Sequence, residues 1–188
     1  MKALRFPMII LFISIFGCEK DTDNDLDNSD EKYVSTDVLV KIKGYYTIDK
    51  VFDFINSFDH EVENIKYGFY NSSLHSDSLQ YVLDYLNAKP YTHEGDMWYV
   101  SGYLHYQTNQ ITIFPKLFQI KNKEYQSDWL QSMQILQLTE KTDEEVSGNT
   151  IFFHVPAGEE KVWVDKFKTY DFVEWAELNN YVNINPWP

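Results

Sequence analysis

The stretch VLVKIKG, residues 38–44, alternates the large apolar side chains of Val38, Val40 and Ile42 with other residue types before it ends at a glycine. A period of two predicts a β-strand with one buried face. Thr47 follows and can cap a helix, in which apolar residues recur every three or four positions. The sequence therefore predicts a strand followed directly by a helix that packs on it.

The same order of elements is predicted twice along the chain. Residues 38–106 and residues 110–184 each read strand, helix, strand, helix, strand. Strands that alternate with helices favour a sheet with helices on one face, because right-handed crossovers place them there. We therefore predict an α+β fold of two ferredoxin-like βαβαβ halves, residues 37–107 and residues 108–188. The halves lie in tandem or are fused into one sheet. Each half shows three strands where a ferredoxin-like fold has four, so either the bend at Gly68 hides the fourth strand or the fold is a variant.

Residues 1–17 have the layout of a secretory signal. Two cationic residues precede an apolar run, which is too short to span about 30 Å of hydrocarbon as a permanent helix. The run ends in Ile15-Phe16-Gly17-Cys18, which resembles the lipobox of bacterial lipoproteins, with Phe16 where that family has a small residue. The resemblance implies cleavage after Gly17 and acylation of Cys18, which would attach the chain to a lipid bilayer.

Residues 18–36 are predicted to be the lipidated cysteine and a solvated tether. Within them, residues 19–31 hold seven acidic residues, one lysine and one aliphatic residue, too little apolar surface to offset the entropy of folding. The acidic patch behind the cysteine also resembles the export signal of Bacteroidota surface lipoproteins, carried here by Glu19, Lys20, Asp21 and Asp23. This resemblance implies an outer-membrane protein that faces the cell surface. A plain spacer, with the domain on the periplasmic face, is the alternative.

The composition excludes some partners and one kind of stabilisation. Cys18 is the only cysteine in 188 residues, so no intrachain disulfide can form. The formal net charge is −13 and Arg5 is the only arginine. Nucleic acids are bound through clustered cations, and phosphate groups are often recognised by arginine. We therefore expect no nucleic-acid partner, and a fold stabilised by the packing of its many aromatic residues.

A second resemblance covers residues 156–179. PAGEE (residues 156–160), the helix after it and FVEWAELN (residues 172–179) resemble the last third of subtilisin-like protease propeptides, with Leu178 in place of the usual proline. The resemblance implies a ferredoxin-like module, and one alternative function is a protease inhibitor whose tail, residues 179–188, enters the protease cleft. The other interpretation is that an edge strand packed under a helix converges on this pattern.

The residues that could carry chemistry form no recognisable catalytic or metal motif. The five histidines lack the helical i, i+4 pair and the tight spacing of metal sites, and HEGD (residues 93–96) fits a solvated turn. Ser101 lacks the first glycine of a nucleophile elbow, and Cys18 cannot be a catalytic thiol once acylated. Paired carboxylates are abundant, which leaves a carboxylate-dependent hydrolase as an alternative. We predict no catalytic residue, no metal site and no cofactor.

Aromatic residues are more numerous than the predicted helix faces require. Tyrosine and tryptophan on a surface often mark a contact site, so Tyr99, Tyr103 and Trp187 are candidate binding residues. The alternative is that most of the aromatic side chains line the sheet and its helices. The sequence therefore favours a non-enzymatic, membrane-anchored lipoprotein that displays a binding domain to a protein or glycan partner.

Overall fold

Four α-helices and eleven short β-strands make up the part of the chain that a computed structural model describes, residues 33–95, 97–98, 100–142 and 148–180, with the backbone alone at 97 and 98. The elements are, in chain order, β1 (Tyr33–Ile42), α1 (Ile48–Asn56), β2 (Glu61–Lys66), β3 (Tyr70–Ser72), α2 (Leu79–Asn87), β4 (His93–Glu94), β5 (Met97–Trp98), β6 (Ser101–His105), β7 (Gln110–Phe114), β8 (Leu117–Phe118), α3 (Lys123–Ile135), β9 (Leu138–Glu140), β10 (Thr150–His154), α4 (Glu160–Phe167) and β11 (Val173–Asn180). None of these helices is long and apolar enough to cross a membrane.

Five strands form an antiparallel sheet in the order β11-β1-β10-β2-β8. α1 connects β1 to β2, and α4 connects β10 to β11. The two β-α-β units interlock, because β10 lies between β1 and β2 while β1 lies between β10 and β11. The ring of Phe153 on β10 contacts Phe54 of α1 at 5.9 Å and Phe167 of α4 at 4.7 Å, measured between centroids. Both helices therefore cover the same face of the sheet.

The alternation of side chains along the central strands builds the core under these helices. Val38 and Val40 of β1 are buried, and their partners on β10 are Phe153 and Ile151, which are also buried. Leu39, between the two valines, points to the opposite face and is only partly buried. The strand with one buried face that VLVKIKG predicts is confirmed.

Residues 67–149 lie between β2 and β10 and contain a second antiparallel sheet, in the order β6-β7-β3-β9. Its inner face contacts α3, where the rings of Tyr70 and Trp129 meet at 5.3 Å and both are fully buried. Gly68 is the point at which the chain leaves the first sheet. A Cβ there would lie 2.6 Å from Oδ1 of Asn149, so the close approach requires glycine.

The prediction of a mixed fold of helices and sheets is confirmed, but its division into two βαβαβ halves is not. The five-stranded sheet combines β1 and β2, from predicted residues 37–107, with β8, β10 and β11, from predicted residues 108–188. The described residues also fall within one compact unit. Hydrophobic periodicity reports local conformation, whereas the pairing of Asp37 with His154 joins positions 117 residues apart. The pattern of elements therefore could not show which strands are neighbours.

β1 begins earlier than predicted. Residues 33–36, which the sequence analysis placed in the tether, belong to this strand, although its pairing with β11 shifts register before Val38. Glu160, at the start of α4, is buried and accepts a hydrogen bond from the backbone N–H of Thr36 at 2.8 Å. A contact across most of the chain thus orders this end of the strand.

Candidate binding face of the four-stranded sheet

The outer face of the four-stranded sheet differs from the rest of this acidic chain in its charge. Tyr70, Ile111 and Ile113 are fully buried and identify the inner face, and the alternate residues point outward. These outward-facing strand residues are Asn71, Ser101, Tyr103, His105, Gln110, Thr112, Phe114 and Thr139. None of the eight is Asp, Glu, Lys or Arg, in a chain with a formal net charge of −13. The strand residues of this face are therefore uncharged on an acidic protein, and Lys141, whose backbone N–H donates to the carbonyl of Phe69 at 2.8 Å, follows at its edge.

Three aromatic rings and one imidazole form a row across this face, which we call the aromatic row: Phe69, Phe114, Tyr103 and His105. The ring of Tyr103 is stacked on that of Phe114, with centroids 5.6 Å apart and planes inclined by 20°. Phe69 meets Phe114 edge-on at 5.1 Å. The hydroxyl of Tyr103, a residue that is 44% exposed, lies 3.0 Å from Nε2 of His105. The row therefore presents two nearly parallel rings beside hydrogen-bonding groups.

The β6–β7 hairpin holds the aromatic row in place. Its turn is closed by a hydrogen bond from Asn109 N–H to the carbonyl of His105 at 2.7 Å. Gly102 allows the two strands to lie close together, because a Cβ there would come within 2.7 Å of the carbonyl oxygen of Thr112. The hydroxyl of Thr112 donates to Oδ1 of Asn71 on β3 at 2.8 Å. The face thus rests on paired strands, which position side chains more accurately than loops do.

Most of the site residues predicted from the sequence lie outside the described residues. They are Gly17, Cys18, Glu19, Lys20, Asp21, Asp23, Tyr99 and Trp187. Of the three candidate binding residues, Tyr103 is described, and it lies in the aromatic row. The sequence analysis missed Phe69, Phe114 and His105. The strand-like runs on either side of residues 107–110 predict a hairpin, and alternation within it was a signal for Phe114 and His105, but nothing local indicates Phe69.

The other aromatic residues do not gather on this face. Tyr70 and Tyr91 are fully buried, and the Tyr91 hydroxyl donates to Oδ2 of Asp128 at 2.5 Å, the same oxygen that lies 2.9 Å from Nζ of Lys89. Burial alone would raise the pKa of Asp128, but the hydrogen bonds from Tyr91 and Lys89 outweigh it and lower that pKa. Exposed tyrosines outside the row are Tyr45, Tyr67, Tyr81 and Tyr106, of which Tyr106 follows His105 in the β6–β7 turn. Several of the surplus aromatics are therefore core residues.

Carboxylates line one polar cleft beside the five-stranded sheet. The cleft has a volume of about 560 Å³, and Glu61, Glu63 and Glu94 line it together with His93 and Lys121. Within the residues that the structure describes, no group of three His, Cys, Asp or Glu side chains could hold a metal ion. The cleft gives the hydrolase alternative a concave site, in which carboxylates from β2 and β4 are brought together.

His60 lies in the connection from α1 to β2, partly exposed and against aromatic rings. Its ring packs edge-on against Trp163, with centroids 4.0 Å apart. Its Nε2 atom is buried and has no hydrogen-bond partner in the described part of the chain. Burial, followed by the positive charges of Lys121 and Lys166, lowers the pKa of His60.

Replacing His60 with glutamine should make the free energy of unfolding less dependent on pH below neutrality. The unfolded chain binds a proton at this position near pH 6.5, whereas the folded protein resists it. The wild type therefore loses stability as the pH falls below that value. Urea unfolding at about pH 7.5 and about pH 5 measures the difference. The control, Gln107→Ala, changes an exposed residue that does not titrate and should keep the wild-type pH dependence; a wild-type pH dependence in His60→Gln would contradict the assignment.

Comparisons with known proteins assign this face to no family. No protein-family model, no curated protein and no solved structure matches the chain. A function therefore has to follow from the geometry and chemistry of particular residues.

Proposed function

We propose that this protein is a non-catalytic lipoprotein whose aromatic row binds neutral glycans at the cell surface. The observation that carries the proposal is the outer face of the four-stranded sheet, whose strand residues are uncharged and on which the rings of Tyr103 and Phe114 are stacked. Partly exposed aromatic side chains grouped on a rigid surface favour a contact site. A protein partner that uses the same face is the alternative ligand.

The chemistry of the face suits a sugar ring better than a charged ligand. The faces of sugar rings carry C–H groups, which pack on the negatively polarised faces of aromatic rings such as Tyr103. Sugar hydroxyls can exchange hydrogen bonds with the amide of Asn71 and the imidazole of His105. The outward-facing strand residues offer no ion-pair partner, and the net charge of −13 disfavours anionic ligands, nucleic acids included. A neutral glycan needs no ion-pair partner and is not repelled by the negative charge.

The proposed location depends on the two resemblances at the N-terminus. Cleavage after Gly17 and acylation of Cys18 would attach the domain to the outer membrane. The residues proposed to direct it to the cell surface are Glu19, Lys20, Asp21 and Asp23. Several acyl chains anchor a protein stably, whereas one chain binds a bilayer only marginally. The acidic tether would hold the domain off the bilayer, where glycans are accessible, and the periplasmic face is the alternative location.

Replacing Tyr103 with alanine should weaken binding to a neutral glycan by about tenfold, because the variant loses the exposed ring of the stacked pair. The full chain, in a detergent without a sugar headgroup, is tested by affinity electrophoresis in gels that contain laminarin, xyloglucan or dextran. We expect at least one of these polysaccharides to retard the wild type. Tyr81→Ala, which removes an exposed tyrosine from α2, is the matched control. Retardation by none of the three, or equal losses in both variants, would contradict the proposal.

A protease inhibitor is a second candidate, which the strand order favours. The four strands joined through α1 and α4 have the spatial order 4-1-3-2, and we propose that they form one ferredoxin-like unit with residues 67–149 inserted. α4 and β11, which carry the resemblance to subtilisin-like propeptides, would be its last helix and strand. Inhibition of subtilisin that is lost on deleting residues 179–188 would distinguish this function from glycan binding.

A carboxylate-dependent hydrolase is the third candidate, and the polar cleft lined by Glu61, Glu63 and Glu94 favours it. Such an enzyme would use one carboxylic acid to protonate the leaving group and a second carboxylate as base or nucleophile. Release of reducing sugar from the polysaccharides above separates it from the non-catalytic proposal.

A further inference from the structure

An apolar pocket opens at the end of the helical layer, away from the aromatic row. It lies between α1, the turn after β1 and the connection from α4 to β11, and its volume is about 310 Å³. Buried side chains of Ile42, Val51 and Phe54 form its floor. Tyr46, Tyr170 and Phe172, all partly exposed, form its walls. Apolar side chains and aromatic rings therefore surround a cavity that is open to solvent.

The rings of the pocket are inclined steeply to one another. Phe54 meets Phe172 at 4.9 Å with an angle of 84° between ring planes, and it meets Tyr170 at 5.2 Å and 70°. Tyr46 meets Phe172 at 5.5 Å and 56°. Aromatic rings attract one another in such edge-to-face arrangements. Walls with this spread of orientations can offer both ring edges and ring faces to a planar aromatic guest.

The rim of the pocket is polar, unlike its floor. Lys50 and Asp53 on α1 and Ser57, the residue after α1, are exposed and line the opening. Lys50 and Asp53 lie 3.6 Å apart, with side chains that are 62% and 75% exposed. An ion pair this exposed contributes little to stability, so either group can turn to a ligand at low cost. The rim can therefore hydrogen-bond a polar substituent on a guest whose apolar part lies in the pocket.

We propose that this pocket binds a small planar aromatic molecule of about two fused rings with one polar substituent. A cavity of about 150 Å³ lined by apolar side chains holds one benzene ring, and the pocket has about twice that volume. Ligand sites are typically concave and apolar with a few polar groups that fix orientation. The site is separate from the aromatic row and goes beyond glycan binding, since it is formed by α1 and the five-stranded sheet.

Indole is the probe for this site, and methyl NMR of the full chain measures its binding. Indole should shift the methyl resonances of Ile42 and Val51, because its ring current acts on the floor of the pocket. A Ser57→Trp variant places a large side chain at the rim and should raise the dissociation constant for indole by about tenfold or more. Gln131→Trp, which changes an exposed residue of α3 away from the rim, should bind as the wild type does.

The outcomes are distinguishable from a folding defect and from another ligand class. If Ser57→Trp does not fold, Lys50→Trp obstructs the same rim from an exposed position and takes its place. Octanoate, an acyl chain of similar size, should leave the Ile42 and Val51 methyl resonances unshifted. The proposal is overturned if indole shifts neither residue, if the rim variant binds indole as the wild type does, or if octanoate binds as tightly. Loss of glycan binding in Tyr103→Ala would not affect any of these results.

Discussion

The Gly148→Ala variant should unfold at a much lower urea concentration than the wild type. Gly148 has φ +126°, a conformation that residues with a side chain rarely adopt. A Cβ at this position would lie 2.3 Å from the carbonyl oxygen of Ile42, so the backbone of β1 or the entry to β10 would have to move. We expect the free energy of unfolding to fall by about 3 kcal/mol or more, measured by urea denaturation followed through tryptophan fluorescence.

Gly148 is sensitive because several elements meet beside it. The next residue, Asn149, accepts a hydrogen bond from Ile42 N–H at 2.9 Å through its backbone carbonyl. Its side-chain amide donates to Oε1 of Glu140 at 2.9 Å, and Oε2 of Glu140 accepts from Ile48 N–H at 2.7 Å. A shift at Gly148 would therefore disturb β1, β9 and the first turn of α1 together.

Gly158→Ala is the matched control for this prediction. Gly158 also has a positive φ, +86°, but no atom lies within 4 Å of a Cβ built on it. This variant carries the backbone strain alone, about 1 to 2 kcal/mol. Equal losses of stability in the two variants would show that the contact with Ile42 is not the cause.

Local signals in the sequence predicted the helices and strands better than they predicted which of these elements pack together. Asparagine is a favoured residue immediately before a helix, so Asn122 predicts a helix start, and in the structure its side chain caps α3 by accepting a hydrogen bond from Glu124 N–H at 2.8 Å. Residues 107–110 separate two strand-like runs and predict a hairpin turn, and the structure has the β6–β7 hairpin there. Both features depend on contacts only a few residues apart. The sequence analysis missed β9, because Thr139 and Glu140 begin a polar segment. Leu138–Glu140 becomes a strand by pairing with β3, a tertiary contact that periodicity cannot report.

Gly68 indicates a bend in the chain but not the sheets to which the strands on either side of it belong. Glycine in a strand-like pattern indicates a bend or a close approach, and the structure places two strands there, one on each side. The sequence does not indicate that β2 and β3 belong to different sheets. That assignment depends on pairing with distant strands, since β2 pairs with β10 and β8 whereas β3 pairs with β7 and β9.

The candidate face was predictable in the same partial way. An excess of tyrosine drew attention to Tyr103, and the period of two in the β6–β7 hairpin places Phe114 on the same face. Phe69 joins them only because β3 pairs with β7, as in the contact between Asn71 and Thr112, which are 41 residues apart. The absence of charge from the outward-facing strand residues emerges only when the four strands β6, β7, β3 and β9 are aligned.

Replacing Cys18 with serine should abolish lipid attachment. The thiol is the proposed site of acylation and the chain has no second cysteine, so no other thiol can take its place. In a bacterial host, metabolic labelling with a palmitate analogue should tag the wild type and leave the variant unlabelled. Without acyl chains the described domain would have to bind the bilayer through an acidic surface, which anionic membranes repel. The variant should therefore leave the membrane fraction entirely.

Anchoring and export can be separated within the same experiment. Asp21→Asn combined with Asp23→Asn removes charge from the proposed export signal and retains Cys18, so labelling should persist while cleavage by proteinase added to intact cells declines. Asp27→Asn combined with Asp30→Asn makes the same change in charge farther along the tether and should leave both results as in the wild type. A label on Cys18→Ser, or mass spectrometry that recovers the wild type with Met1 intact, would contradict the proposed membrane attachment. The aromatic row would then have to meet its ligand in another compartment, since its geometry does not depend on the anchor.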